Sequence, residues 1–120
     1  MKRLLVADDE DVLRMLIVDT LEEEEYHLEE AEDGVEAFAL IKKNMYDLVI
    51  LDYMMPKMTG VEVLIETRKL QKVQPKILML TAKSQQQDQE KMFKEGADYF
   101  LAKPFSPMEL LDIVEEIVGE

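Results

Sequence analysis

Leu48-Val49-Ile50-Leu51-Asp52-Tyr53-Met54-Met55-Pro56 holds an unbroken apolar run that an aspartate closes. A run apolar at every position reads as a β-strand covered on both faces, the pattern of parallel sheets. Other runs share the design. Leu4-Leu5-Val6-Ala7 is closed by Asp8 and Asp9, Ile77-Leu78-Met79-Leu80 by Thr81, and Tyr99-Phe100-Leu101 is followed by Lys103-Pro104. In an open parallel sheet the reactive groups gather beyond the carboxyl ends of the strands. Asp8, Asp9, Asp52, Thr81 and Lys103 are therefore expected to meet in one acidic pocket. Carboxylates that close repel one another unless a cation sits among them. Hard oxygen donors of this kind suit Mg²⁺.

Working outward, strands alternate with helices. Strand one spans Arg3 to Ala7. Helix one starts near Asp11, with Leu13, Leu16, Ile17 and Leu21 at helical spacing. Tyr26 to Ala31 is polar for a buried strand and suits a sheet edge. Asp33 with Glu36 predicts a capping box for helix two, whose inward residues are Ala37, Phe38 and Ile41. Strand three covers Asp47 to Leu51. The loop from Tyr53 to Gly60 leads to helix three, with Val61 and Leu64 inward. Ser84 with Gln87 predicts a second capping box before helix four, and Gly96 a helix end in positive φ. Ser106, Pro107 and Glu109 read as N-cap, first-turn proline and third-position acid of helix five, which buries Leu110, Ile113, Val114 and Ile117. Five strands alternating with five helices predict an α/β fold on a mostly parallel sheet.

The 120 residues make one domain, large enough for a core without staples. The absence of cysteine excludes disulfides and thiolate metal sites. A net charge of −13 argues against direct nucleic-acid binding. No apolar run approaches the ~20 residues of a membrane span, so a cytoplasmic protein without a membrane partner is expected. Glu22 to Glu25 read as a solvated helix end. His27, the lone histidine, falls on the edge strand away from the pocket and reads as a surface residue. The methionines of strand four and helix four read as core, while Met54, Met55 and Met58 flank the pocket where a partner would touch.

With these residues placed, the chain resembles the receiver domain of two-component response regulators over Leu4 to Val118. The stretches that carry the resemblance are Val6-Ala7-Asp8-Asp9-Glu10, Leu51-Asp52-Tyr53-Met54-Met55-Pro56, Leu80-Thr81-Ala82 and Gly96-Ala97-Asp98-Tyr99-Phe100-Leu101-Ala102-Lys103-Pro104-Phe105. Each is weak alone; in order, each at the end of its strand, they are specific. The resemblance implies a flavodoxin-like (βα)5 three-layer sandwich over residues 1–120, with a parallel five-stranded sheet in the order 2-1-3-4-5. It also suggests a cis Lys103-Pro104 bond.

The resemblance further implies that Asp52 accepts a phosphoryl group from the phosphohistidine of a sensor histidine kinase. Asp9, Asp52 and the backbone carbonyl of Met54 would then ligate Mg²⁺ directly, with Mn²⁺ as the alternative ion. Asp8 would hold a metal-bound water or add charge. Lys103, the Thr81 hydroxyl and the Ala82 N–H would meet the phosphoryl oxygens. Thr81 and Phe100 would switch the surface of helix four, strand five and helix five, although Phe100 also reads as a core aromatic. Such a chain catalyses only its own phosphorylation and dephosphorylation. It signals to a downstream target or passes phosphate to a phosphotransfer histidine protein in a phosphorelay. The end at Gly119-Glu120 leaves a stand-alone receiver and a domain of a longer protein both open.

Each residue has a plainer reading singly: Asp8 an N-cap, Asp52 a turn residue, Thr81 a strand end, Lys103 a surface charge, Pro104 a loop breaker. Jointly these would have to produce the acidic triad, hydroxyl and lysine by chance. A haloacid-dehalogenase-type phosphatase needs an acid/base aspartate two residues after its nucleophile, where this chain has Met54. A flavin-binding flavodoxin needs a phosphate-cradling loop after strand one, where Asp8 to Asp11 would repel phosphate. An interaction-only pseudo-receiver would lack the complete pocket. Met54 offers no water-orienting group and Lys83 adds charge near the pocket, so a slow loss of phosphate is expected.

Overall fold

The computed structural model describes residues 1–119. The elements run β1 (Arg3–Ala7), α1 (Asp11–Glu22), β2 (His27–Ala31), α2 (Gly34–Lys43), β3 (Leu48–Asp52), α3 (Gly60–Arg68) and β4 (Lys76–Thr81). A 3₁₀ turn (Lys83–Asp88) then leads to α4 (Gln89–Glu95), β5 (Tyr99–Ala102) and α5 (Pro107–Val118). All the strand pairs are parallel, in the order β2-β1-β3-β4-β5.

The unbroken apolar runs are explained by the two cores. Alternate residues of a strand face opposite sides. Leu5, Val49, Leu51, Ile77 and Met79 pack against Ala37 and Ile41 of α2, Val63 and Leu64 of α3 and Met92 of α4. Leu4, Val6, Leu48, Ile50, Leu78 and Leu80 pack against Ile17 and Leu21 of α1 and Leu110 and Val114 of α5. The result is three layers, and truncating one of these buried leucines to alanine costs about 2–5 kcal/mol. β2 is polar because it is the edge. Its Glu29 accepts from the Tyr46 hydroxyl and, at 2.7 Å, from the Arg3 guanidinium, which in that order hold the carboxyl down at about 2.

Several local expectations shift. Leu16 is exposed, and the inward stripe of α1 is Arg14, Ile17 and Leu21. Asp33 does cap α2 through the Glu36 N–H, but the Glu36 carboxylate reaches the N–H of Glu32 rather than that of Asp33. The Ser84–Gln87 capping box does not form, because the chain takes a 3₁₀ turn there and α4 begins later, at Gln89. Ser106 and Glu109 cap α5 as expected, and Gly96 ends α4 at φ 117. Among the described residues no helix is long and apolar enough to cross a membrane.

Candidate functional site

The site is built by strand register. Ala7 pairs with Leu51, Asp52 with Leu80, and Thr81 with Ala102. The ladder continues past the strand ends, with Asp8 N–H donating to the Ala31 carbonyl, Tyr53 N–H to Leu80 and Lys103 N–H to Thr81. Asp8, Asp52, Thr81 and Lys103 are thus pinned side by side at the carboxyl edge of the sheet. Gly60 completes the frame from below. Its N–H donates to the Tyr53 carbonyl at 2.8 Å, and a Cβ there would collide with the Asp52 carbonyl. Only glycine lets the start of α3 lie this close to the central aspartate.

Oxygens of Asp8, Asp9 and Asp52 lie within 4.8 Å of one another. Lys103 Nζ is 2.8 Å from Asp52, 3.7 Å from Asp8 and 3.6 Å from Glu10. One lysine therefore faces three carboxylates. Asp8 is fully buried and Asp52 nearly so, whereas Asp9 is exposed. Burial pushes the Asp52 carboxyl up to about 6, against the Lys103 bond that lowers it. Asp8 is raised by the same cause. Burial works against the Lys103 charge, but its carboxylate partners outweigh it and hold the ammonium above its ordinary value.

The donor set fits a hard divalent cation. Asp8 Oδ2 is buried with no hydrogen-bond partner, the Lys103 ammonium standing off at 3.7 Å, and a buried acceptor without a hydrogen bond is costly. Asp9 and Asp52 offer further carboxylate oxygens, and the Met54 carbonyl accepts no hydrogen bond from the protein among the described residues. The Thr81 hydroxyl is a second buried orphan.

Two groups stand otherwise than expected. The Ala82 N–H is not free, because Gln85 Oε1 accepts from it at 2.8 Å. Met55 is buried in the core rather than presented beside the site, while Met54 is exposed. Phe100 is half-buried and stands edge-on to Phe93, with centroids 4.6 Å apart. Lys103-Pro104 is cis. His27 is exposed, and its ring Nε2 lies 3.0 Å from the Glu29 carboxylate.

The sequence model of the response regulator receiver domain matches residues 4–115. This chain belongs to that family. Receivers of this family are phosphoacceptor domains of two-component systems that interact with sensor histidine kinases. The transcriptional regulatory protein SrrA of Staphylococcus aureus is 40% identical over 108 residues, covering 90% of this receiver and 44% of SrrA. The receiver thus spans less than half the length of that curated relative. Chemotaxis response regulator CheY4 of Vibrio cholerae superposes with a TM-score of 0.90 at 34% identity over 98% of both chains. The receiver domain of the sensor histidine kinase PA1611 from Pseudomonas aeruginosa, with a magnesium ion coordinated in its active site cleft, gives 0.88 at 28% identity, covering 99% of this receiver and 98% of that chain.

Sequence reasoning missed Arg14. This nearly buried arginine donates to the Asp8 carbonyl at 2.7 Å, to Asp11 at 2.7 Å and to Glu30 at 3.0 Å. It ties the acidic loop to α1 and β2. Arg14 lies one turn before Ile17 on the inward stripe, but a charged residue is passed over by a reading of apolar period. Gln85 was missed as well.

Proposed function

We propose that Asp52 is the phosphoacceptor of this receiver, loaded from the phosphohistidine of a sensor histidine kinase with Mg²⁺ in the acidic pocket. The observation that carries the reading is the contact of Lys103 Nζ with Asp52 at 2.8 Å beside the orphaned Asp8 oxygen and Thr81 hydroxyl. An Asp52 carboxylate oxygen attacks phosphorus, an O–P bond forms and the N–P bond of the donor imidazole breaks. The electron pair stays on the imidazole nitrogen, which takes a proton.

Asp9, Asp52 and the Met54 carbonyl are the groups that would hold Mg²⁺, with Asp8 acting through water. The bound ion supplies charge neutralisation for the carboxylates and for the incoming phosphoryl oxygens. Lys103 favours the ionised form of Asp52 against the burial that opposes it, and then meets a phosphoryl oxygen as a point charge. The Thr81 hydroxyl gains in that oxygen the acceptor it lacks. Drawing Thr81 toward the phosphoryl group biases the half-buried Phe100, and with it the surface of α4, β5 and α5. The chain then acts on no other substrate; it catalyses its own phosphorylation and dephosphorylation in the cytoplasm. It passes its signal to a downstream protein or its phosphate to a phosphotransfer histidine.

The test is labelling by a small phosphodonor such as phosphoramidate with Mg²⁺, mapped by mass spectrometry. Wild type should carry one acid-labile phosphoryl group on Asp52, and Asp52→Asn none. Equal labelling of the Asn variant at another residue refutes the assignment.

A further inference from the structure

The Ala82 amide is the donor next to the orphaned Thr81 hydroxyl. Under the reading above both groups serve a phosphoryl group, yet one of them is already engaged. Gln85 Oε1 accepts from Ala82 N–H at 2.8 Å, and Gln85 N–H donates to the Ala82 carbonyl at 2.9 Å. This reciprocal pair starts the 3₁₀ turn Lys83–Asp88, in which no residue is buried. The far end of the turn is held by the Tyr53 hydroxyl, which donates to Asp88 Oδ2 at 2.8 Å. Tyr53 directly follows Asp52. The turn that leads into α4 is therefore held by side-chain hydrogen bonds rather than by a core. Both of those bonds end on residues adjacent in sequence to the pocket's own groups.

We propose that Gln85 is an internal competitor for the phosphoryl-binding amide: its carboxamide oxygen occupies the Ala82 N–H in the unphosphorylated protein and is displaced when Asp52 is phosphorylated. The inference rests on the assignment of Asp52 as phosphoacceptor. One N–H cannot serve two acceptors at full strength. An anionic phosphoryl oxygen makes the stronger bond, because hydrogen bonds to ionised groups are roughly twice as strong as neutral ones. Displacement therefore proceeds, but the neutral bond that is given up subtracts from phosphoryl affinity. Gln85 is only half-buried, so its released side chain can find water and leaves no orphaned group behind. Loss of the pair also frees the start of the turn, which couples phosphorylation to the path of the chain into α4. In this role Gln85 is a positioning residue that sets how readily the site is loaded.

The experiment is a beryllofluoride titration with Mg²⁺ in excess, followed by amide NMR, for wild type, Gln85→Ala and Gln85→Asn. Phosphoramidate labelling of wild type and Asp52→Asn is run alongside. Alanine lacks the acceptor, and asparagine is one methylene too short to reach. Both variants should bind beryllofluoride about fivefold more tightly than wild type, the worth of one neutral hydrogen bond. In wild type the side-chain NH₂ signals of Gln85 should shift toward those of a solvated amide on binding. A thermal melt of each variant establishes that it is folded. A merely structural role for the pair predicts the opposite sign, since a looser turn would position the Ala82 amide less well. Equal or weaker binding by both folded variants, with wild type binding and labelling normally, overturns the competition and leaves the Asp52 assignment standing. A wild type that takes neither label nor beryllofluoride overturns both.

Discussion

The acidic pocket should make the metal-free protein less stable as the pH rises toward neutrality. Burial moves the Asp52 carboxyl from 3.8 up to about 6. Between those values the folded state keeps a proton that the unfolded chain has lost. The resulting stabilisation is complete below 3.8 and disappears as the pH rises through 6. The full displacement is worth roughly 3 kcal/mol. Of this, about 1.4 kcal/mol is lost between about pH 5 and about pH 7.5. Asp8, also raised by burial, acts in the same direction. Glu29 does not interfere, because its carboxyl lies at about 2 and its contribution fades only in stronger acid. The assay is urea unfolding in a chelator at both pH values, for wild type and Asp52→Asn. Repulsion within a chain of net charge −13 affects both proteins. The difference between their pH dependences therefore isolates the pocket, and wild type should lose about 1.4 kcal/mol more. Parallel pH dependences, or a wild type that gains stability over this interval, would refute the placement of Asp52 as a strained buried carboxylate.

Further outcomes follow from the same geometry. Mg²⁺ at ten times its dissociation constant should stabilise wild type by about 1.4 kcal/mol. Asp9→Ala, which removes an exposed carboxylate from the cluster, should respond less in thermal melts run with Mg²⁺ and with a chelator. Phosphorylated wild type should decay slowly, because the exposed Met54 side chain cannot orient water. Met54→Asn should lose phosphate faster at fixed Mg²⁺, measured by loss of acid-labile phosphate; unchanged or slower decay refutes that role, and Lys83→Ala then tests the charge of Lys83 separately.

The fold was legible because its strands are buried on both faces, which leaves an unbroken apolar run that no alternation disguises. Leu48 to Leu51 is fully buried, and so are the corresponding runs of β1 and β4. The polar edge strand was legible for the converse reason. The errors fall where side-chain hydrogen bonds compete with helix propensity. Ser84 and Gln87 have the spacing of a capping box, but a cap needs a regular first turn behind it. The 3₁₀ turn offers none, and the partnership passes to Ala82 and Gln85. In α1 the apolar period suggested Leu16. The inward place went instead to Arg14, whose guanidinium is satisfied by Asp8, Asp11 and Glu30.

Arg14 and Gln85 show what kind of site residue escapes a reading based on chemistry alone. Asp8, Asp9, Asp52, Thr81 and Lys103 are recognisable because their side chains carry the charge or the hydroxyl that the pocket uses. Their positions at strand ends follow from hydrophobic pattern. Arg14 and Gln85 bond the backbone of the loops instead, at the Asp8 carbonyl and the Ala82 amide. A backbone partner leaves no trace in residue type, so neither contact has a signature in the sequence. Both hold loops that present the reactive groups, and neither supplies a reactive group itself. Arg14 has no comparable competitor, since a guanidinium shared among a carbonyl and two carboxylates is worth keeping in either state. Gln85 makes a single neutral bond to a donor that an anion claims more strongly. The first contact is therefore a fixed brace, and the second is the one that phosphorylation can undo.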